Sequence, residues 1–225
     1  MKQGKRYRNA LKSYEQKKIY SLDEALDILE KFPKPKFNES IEIHVRLNIN
    51  PKKSDQQVRG TVILPHGTGK VIRIAAFTDT QQKEAKKMRA SVVGGQELID
   101  KIATSGGAID FDVAVATPEI MPKMAKIAKI LGPKGLMPNK KSETVGTKID
   151  VLIGELKKGK ASFKNDNDGN IHQVIGSRSF SKKKLKENAD AFLKELGNNK
   201  PSAAKGKFVK TVNITATMSP SIRIQ

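Results

Sequence analysis

Apolar and polar residues alternate without a break along one stretch of the chain. Ile41, Ile43, Val45, Leu47 and Ile49 fall on one side, and Glu42, His44, Arg46 and Asn48 on the other. Successive strand side chains point to opposite faces, so this run predicts a strand with one buried and one exposed face. Upstream, Leu22, Ala25, Leu26 and Leu29 recur at helical spacing behind Ser21-Leu22-Asp23-Glu24, a capping-box pattern. Pro33 and Pro35 stop that helix near Phe32. Arg59 to Leu64 forms a second apolar run. The turn-rich Asn50–Asp55 between the runs predicts an antiparallel pair joined by a loop that carries Lys52 and Lys53.

The pattern changes at Pro65-His66-Gly67-Thr68-Gly69. Strand and helix signals then alternate: strand Val71–Phe77, helix Gln82–Ala90, strand Ser91–Val93, helix Glu97–Ala103, strand Val113–Ala116 and helix Met121–Leu131. Such alternation predicts a parallel, Rossmann-like α/β layer. Beyond the apolar run Val151–Leu156 the antiparallel style returns. Lys160–Lys164 and Ile171–Ile175 flank Asn165–Asn170, which reads as a hairpin connection. Ser181 starts a helix with Leu185, Ala189, Phe192 and Leu196 on one face, and Phe208–Thr217 is a last strand. The simplest architecture is two domains, α+β and α/β. Residues 1–65 plus 157–225 form an antiparallel-sheet domain built from both ends, and residues 66–156 form an inserted parallel-sheet domain.

Charge adds a partner to this picture. The chain of 225 residues holds 43 Lys+Arg against 23 Asp+Glu, a formal net charge of +20. Residues 66–156 are close to balanced, with 14 basic and 10 acidic side chains, so the end-built domain holds most of the excess. A field of that size attracts polyanions, and each phosphate neutralised releases counterions. No stretch approaches the roughly 18 to 20 apolar residues of a spanning helix. The basic Met1–Arg8 is followed by no apolar core, so it does not read as a signal peptide. The chain has no cysteine, which excludes disulfides and thiolate metal sites and makes a reducing cytoplasm the default.

Catalytic chemistry finds little support. His66-Gly67-Thr68-Gly69-Lys70 looks like a phosphate-binding loop, but that pattern needs Gly where Leu64 stands and Ser or Thr where Val71 stands. His44, His66 and His172 lie far apart along the chain, with no metal-ligand spacing among them. No catalytic residue, metal, cofactor or small-molecule substrate is therefore expected. Three readings of the remaining features stay open. Gly132–Lys141 is either a helix stop or a rigid basic loop that touches phosphates through Lys134, Lys140 and Lys141. Lys182-Lys183-Lys184 is either a solvated face or a phosphate contact, because cations oppose the dipole at a helix start. Thr217-Met218-Ser219-Pro220-Ser221 is either an idle tail or a hydroxyl-bearing edge suited to a sugar–phosphate backbone.

Several segments in order carry a resemblance: Gly4-Lys5-Arg6-Tyr7, Lys36-Phe37-Asn38-Glu39-Ser40, Asp55–Val62, Leu64–Lys70, Ala116-Thr117-Pro118, Ile130–Asn139, Gly169-Asn170-Ile171-His172 and Thr217–Ser221. Together they are similar to the bacterial large-subunit ribosomal proteins numbered one, the proteins of the mobile stalk beside the tRNA exit site. The resemblance implies a cytoplasmic ribosomal protein, monomeric off the ribosome. It would bind large-subunit rRNA at the stalk, assist release of deacylated exit-site tRNA and repress its own operon through the mRNA leader. It implies RNA contact by Lys36, Phe37, Ser40, Thr211, Thr217, Met218, Ser219 and Pro220. Beside these we expect His172 at the RNA surface, and Lys5, Arg6, Lys52, Lys53, Lys134, Lys140 and Lys141 as secondary basic contacts. That family usually has Gly at the position of Ser219 and often Thr at that of Ser40. Two other classes compete: a cationic binder that uses charge alone, and an enzyme on the α/β layer. A charge-only binder has no need of the Thr211–Pro220 edge, and an enzyme needs convergent titratable groups that the sequence does not show.

Overall fold

A computed structural model describes residues 4–104, 109–204 and 206–225. In chain order the elements begin with α1 (Lys5–Lys12), α2 (Leu22–Lys31), β1 (Ser40–Leu47) and β2 (Arg59–Ile63). They continue with β3 (Ile74–Phe77), α3 (Gln82–Lys87), β4 (Val92–Gly94), α4 (Gln96–Thr104) and β5 (Val113–Ala116). Then come α5 (Met121–Met124) and α6 (Ala128–Leu131), joined by a 3₁₀ turn, and α7 (Ile149–Lys157). The last elements are β6 (Lys160–Lys164), β7 (Asn170–Ser177), α8 (Lys182–Asn198), β8 (Val209–Ala216) and β9 (Ile222–Arg223). No described helix is long and apolar enough to cross a membrane.

The chain divides into two compact units, Met1–Gly69 with Ala161–Gln225, and Lys70–Lys160. Each join lies four residues beyond the position expected from sequence, and side-chain bonds explain why. Buried Asn188 on α8 accepts the His66 N–H and donates to the Gly67 carbonyl, which keeps that loop with the first unit. Lys160 reaches back to Glu155 at 2.7 Å and to Glu143, which keeps it with the second.

The first unit is built on a four-stranded sheet of order β7-β1-β8-β9, antiparallel throughout. The alternation in β1 does what it predicts. Ile41, Ile43, Val45 and Leu47 are buried, and they share a core with Ala25, Leu26 and Leu29 of α2, Leu185, Ala189, Phe192 and Leu196 of α8, and Val212, Ile214 and Ala216 of β8. The capping box at Ser21 and Glu24 is formed, whereas Ser181 sits at the start of α8 without a side-chain cap bond. Both expected hairpins are absent. β1 is flanked by β7 and β8, so β2 pairs instead with β6 in a separate two-stranded sheet. Alternation fixes which face is buried but not which strand lies alongside, and the usual pairing of sequence neighbours fails twice here. α1 and β9 had no periodic signal: α1 buries only Ala10, and β9 is two residues long.

The second unit is a parallel sheet of order β4-β3-β5. On one side Ala75, Phe77, Ala114 and Ala116 pack with Ile99, Ile102, Ile120, Met124, Ile127 and Leu131. On the other, Ile74, Ala76 and Val115 pack with Ala85, Ile149, Ile153 and Leu156. Burial on both faces is why these strands read as short continuous apolar runs. Val151–Leu156 belongs to α7, with buried residues at helical spacing. β3 starts at Ile74, three residues later than expected, and Val71 is exposed. α3 ends early because Arg89 turns into the left-handed region, φ 53°, and lets the Ala90 N–H close onto the Ala85 carbonyl at 3.1 Å.

Candidate nucleic-acid interface

Period two extended backwards from β1 gives residue 39 the same buried parity as Ile41 and Ile43. The sequence thus puts a carboxylate, Glu39, on the core side, and it is fully buried. A buried charge has to be paired and hydrogen-bonded. Arg178 supplies the pair: its Nη1 donates to Glu39 Oε2 and its N–H to the Glu39 carbonyl. The same guanidinium donates through Nη2 to the carbonyls of Leu29 and Phe32, where α2 runs out of helical partners. Glu39 Oε1 accepts the Met218 N–H at 3.2 Å. One buried ion pair thus joins the end of α2, the Lys36–Ser40 segment and the turn after β8.

Thr217 completes the join. Its Oγ1 accepts the Ser40 N–H at 3.1 Å and donates to the Ser40 carbonyl at 3.3 Å, while its own N–H donates to that carbonyl at 3.1 Å. The Ser219 N–H closes onto the Ala216 carbonyl at 2.9 Å, and Thr215 Oγ1 donates to the Ser219 carbonyl. Pro220 is buried. Against this fixed backbone, Phe37 and Met218 remain 52% and 54% exposed, where burial is the norm for such side chains. Arg6 of α1 donates to the Met218 carbonyl at 3.4 Å, and the Tyr14 hydroxyl donates to that of Ser221 at 2.9 Å. Burial, with Tyr7 and Tyr20 nearby, raises the Tyr14 phenol above its ordinary pKa and keeps it a donor.

The structure therefore brings together Lys36, Phe37, Ser40, Thr217, Met218, Ser219 and Pro220, with Lys5 and Arg6 on the adjoining helix. Thr211 and His172 lie further along the exposed sheet face, on either side of β1: Thr211 is opposite Arg46 and His172 opposite His44. At about 3.4 Å per residue, Arg46 is some 20 Å along β1 from Ser40. Lys52 and Lys53 lie beyond the far end of β1. Lys134, Lys140 and Lys141 are exposed on the second unit. Asn139 ties down the stretch that holds Lys140 and Lys141: its side chain accepts the Lys141 N–H, and its carbonyl accepts bonds from Thr144 and Ser142. Lys182 is paired with Asp27 at 2.6 Å, which favours the solvated-face reading of that cluster. Sequence reasoning missed Glu39, Arg178 and Asn188. Glu39 and Asn188 are polar side chains at buried positions of otherwise apolar periods, a mismatch that could have found them; Arg178 follows the end of β7 and gave no such signal.

The model of the ribosomal protein L1p/L10e family matches residues 29–220. The chain belongs to the ribosomal protein L1 family. Relatives named large ribosomal subunit protein uL1 match nearly the whole chain. That of Thermus thermophilus is 46% identical over 225 residues, covering 99% of this chain and 97% of its own. That of Mycoplasma capricolum is 44% identical over 222 residues, covering 99% and 98%. That of Kosmotoga olearia is 46% identical over 224 residues, covering 99% and 96%. The L1 family and these relatives are ribosomal proteins, not enzymes, as the sequence led us to expect. In this L1-family chain Ser219 stands where Gly was expected. Among the described non-glycine residues only Arg89 and Glu143 have positive φ, so the turn at Ser219 places no demand for Gly on the backbone.

Proposed function

We propose that this ribosomal protein of the L1 family is a constituent of the large subunit in the cytoplasm and binds the rRNA of its mobile stalk through the first unit. The observation that carries the reading is the patch around buried Glu39. It offers two exposed apolar side chains, Phe37 and Met218, on a backbone that is hydrogen-bonded before any ligand arrives. A preformed patch suits recognition of RNA shape, where bases splay onto apolar surfaces and backbone atoms meet fixed donors and acceptors. Lys36, Lys5 and Arg6 at the rim supply the salt-sensitive attraction.

Two finer roles belong to the same proposal: assisting deacylated tRNA out of the exit site, and repressing translation of the protein's own operon through an mRNA leader that mimics the rRNA site. Shared recognition of rRNA and leader would be read as competition between the two RNAs for one patch.

The test is binding to the rRNA stalk fragment against a scrambled hairpin of equal length at moderate salt. The expected preference is about a thousandfold, some 4 kcal/mol. Equal affinity for both RNAs, collapsing together as salt rises, would replace this reading with a binder that uses charge alone.

A further inference from the structure

The chain holds six methionines and neither cysteine nor tryptophan, so thioethers are the side chains on which a peroxide acts most readily. They are not equally open to it. Met124 is fully buried, Met121 and Met137 lean half-buried on the same core of the second unit, and Met88 does so on its other face. Met1 lies outside the described residues. Among the described methionines Met218 alone is exposed, and it stands in the proposed RNA patch.

The backbone around it is held at every step. The Met218 N–H donates to buried Glu39 at 3.2 Å, and the Met218 carbonyl accepts from Arg6 at 3.4 Å. Before it, Thr217 is bonded to both backbone groups of Ser40. After it, the Ser219 N–H closes onto the Ala216 carbonyl at 2.9 Å, ahead of buried Pro220. A turn pinned in this way does not carry its side chain into the core. The sulfur stays at the surface whatever its oxidation state.

We propose that Met218 is a reversible oxidation site, at which a hydroperoxide switches off RNA binding by the free protein. The thioether sulfur attacks one peroxide oxygen, so that an S–O bond forms as the O–O bond breaks. The proton of the transferred oxygen passes to the leaving one, which departs as water or an alcohol. Sulfur loses two electrons and the peroxide gains two. The sulfoxide is uncharged, but it is polar and chiral where the thioether was apolar and flexible. A base face that lay against the side chain now meets an oxygen that loses its water and finds no donor there. The proposal rests on the RNA reading of this patch. Bound RNA covers the sulfur, so the peroxide selects copies not yet seated on RNA.

The test treats the full chain with hydrogen peroxide, maps sulfoxides by peptide mass spectrometry and measures binding to the rRNA stalk fragment. Met218 should oxidise ahead of Met88, Met121, Met124 and Met137, and more slowly with the stalk fragment bound. Affinity should fall about tenfold or more, with the salt slope unchanged because no charge is altered. Methionine sulfoxide reductases, one for each epimer, should restore it. Met218→Leu, whatever affinity it starts from, should hold that affinity through the same treatment. Untreated protein that does not prefer the stalk fragment to the scrambled hairpin removes the RNA reading and this proposal with it. With that preference intact, four results overturn the proposal alone: Met218 sulfoxide that binds as well as the thioether, a loss that Met218→Leu shares, faster oxidation at another described methionine, or oxidation of Met218 unslowed by bound RNA.

Discussion

Met218 and Phe37 are the side chains whose exposure asks for an explanation, and they separate shape from charge most cleanly. Met218→Ala removes apolar contact and no charge. It should weaken binding to the rRNA stalk fragment about tenfold, some 1.4 kcal/mol, and leave the salt slope unchanged. Lys36→Ala should instead lower that slope by about 0.7 to 0.9 if it meets one phosphate. Filter binding across a salt series measures both. Thr217 is a less clean probe than its sequence suggests, because its hydroxyl is already committed to both backbone groups of Ser40. Glu39→Gln should cost about 3 to 5 kcal/mol of stability, since it leaves the buried Arg178 guanidinium without its counter-charge. Chemical denaturation of the first unit is the measurement. These contacts were half legible in advance. The Lys36–Ser40 and Thr217–Ser221 motifs stood out as motifs. That Glu39 and Arg178 join them depends on partners 139 residues apart, a separation at which no periodicity survives.

Among the elements, α8 shows how a polar residue can stabilise a join. Asn188 is fully buried among Leu185, Ala189 and Phe192, and its side chain serves the His66 N–H and the carbonyls of Gly67 and Ile175. Asn188→Leu keeps the branched shape but leaves three backbone groups without partners, at about 1 to 3 kcal/mol for each one that water cannot reach. A loss of a few kcal/mol is expected, with faster amide exchange at His66. No change in exchange there would mean the loop is held by other contacts. Helix and strand identities were readable for every strongly periodic run, because burial of one face imposes its period on the residues. Pairing was not readable. The sequence places β1 beside β2 and β6 beside β7, whereas the fold sandwiches β1 between β7 and β8. α1 escaped notice for the opposite reason: it buries a single residue.

On the scale of the molecule, the proposed RNA surface and the near-neutral α/β layer belong to different units, each with its own core. Replacing residues 70–160 by a short Gly-rich linker should leave affinity for the stalk fragment within about tenfold of the full chain. A larger loss would assign part of the recognition to the second unit. The two-part division was legible from the switch between antiparallel and alternating patterns. The joins were not, because side chains on Asn188 and Lys160 decide them.

The bond between Ser40 and Thr217 spans 177 residues, and that between Arg6 and Met218 spans 212. During synthesis, at about 5 to 20 residues per second, the early half of the patch therefore waits roughly ten seconds or more for the late half. A nascent chain in that interval carries its positive charge but cannot present the assembled surface. If the protein regulates its own message, only copies translated past Met218 can take part, and the feedback counts finished molecules rather than initiated ones.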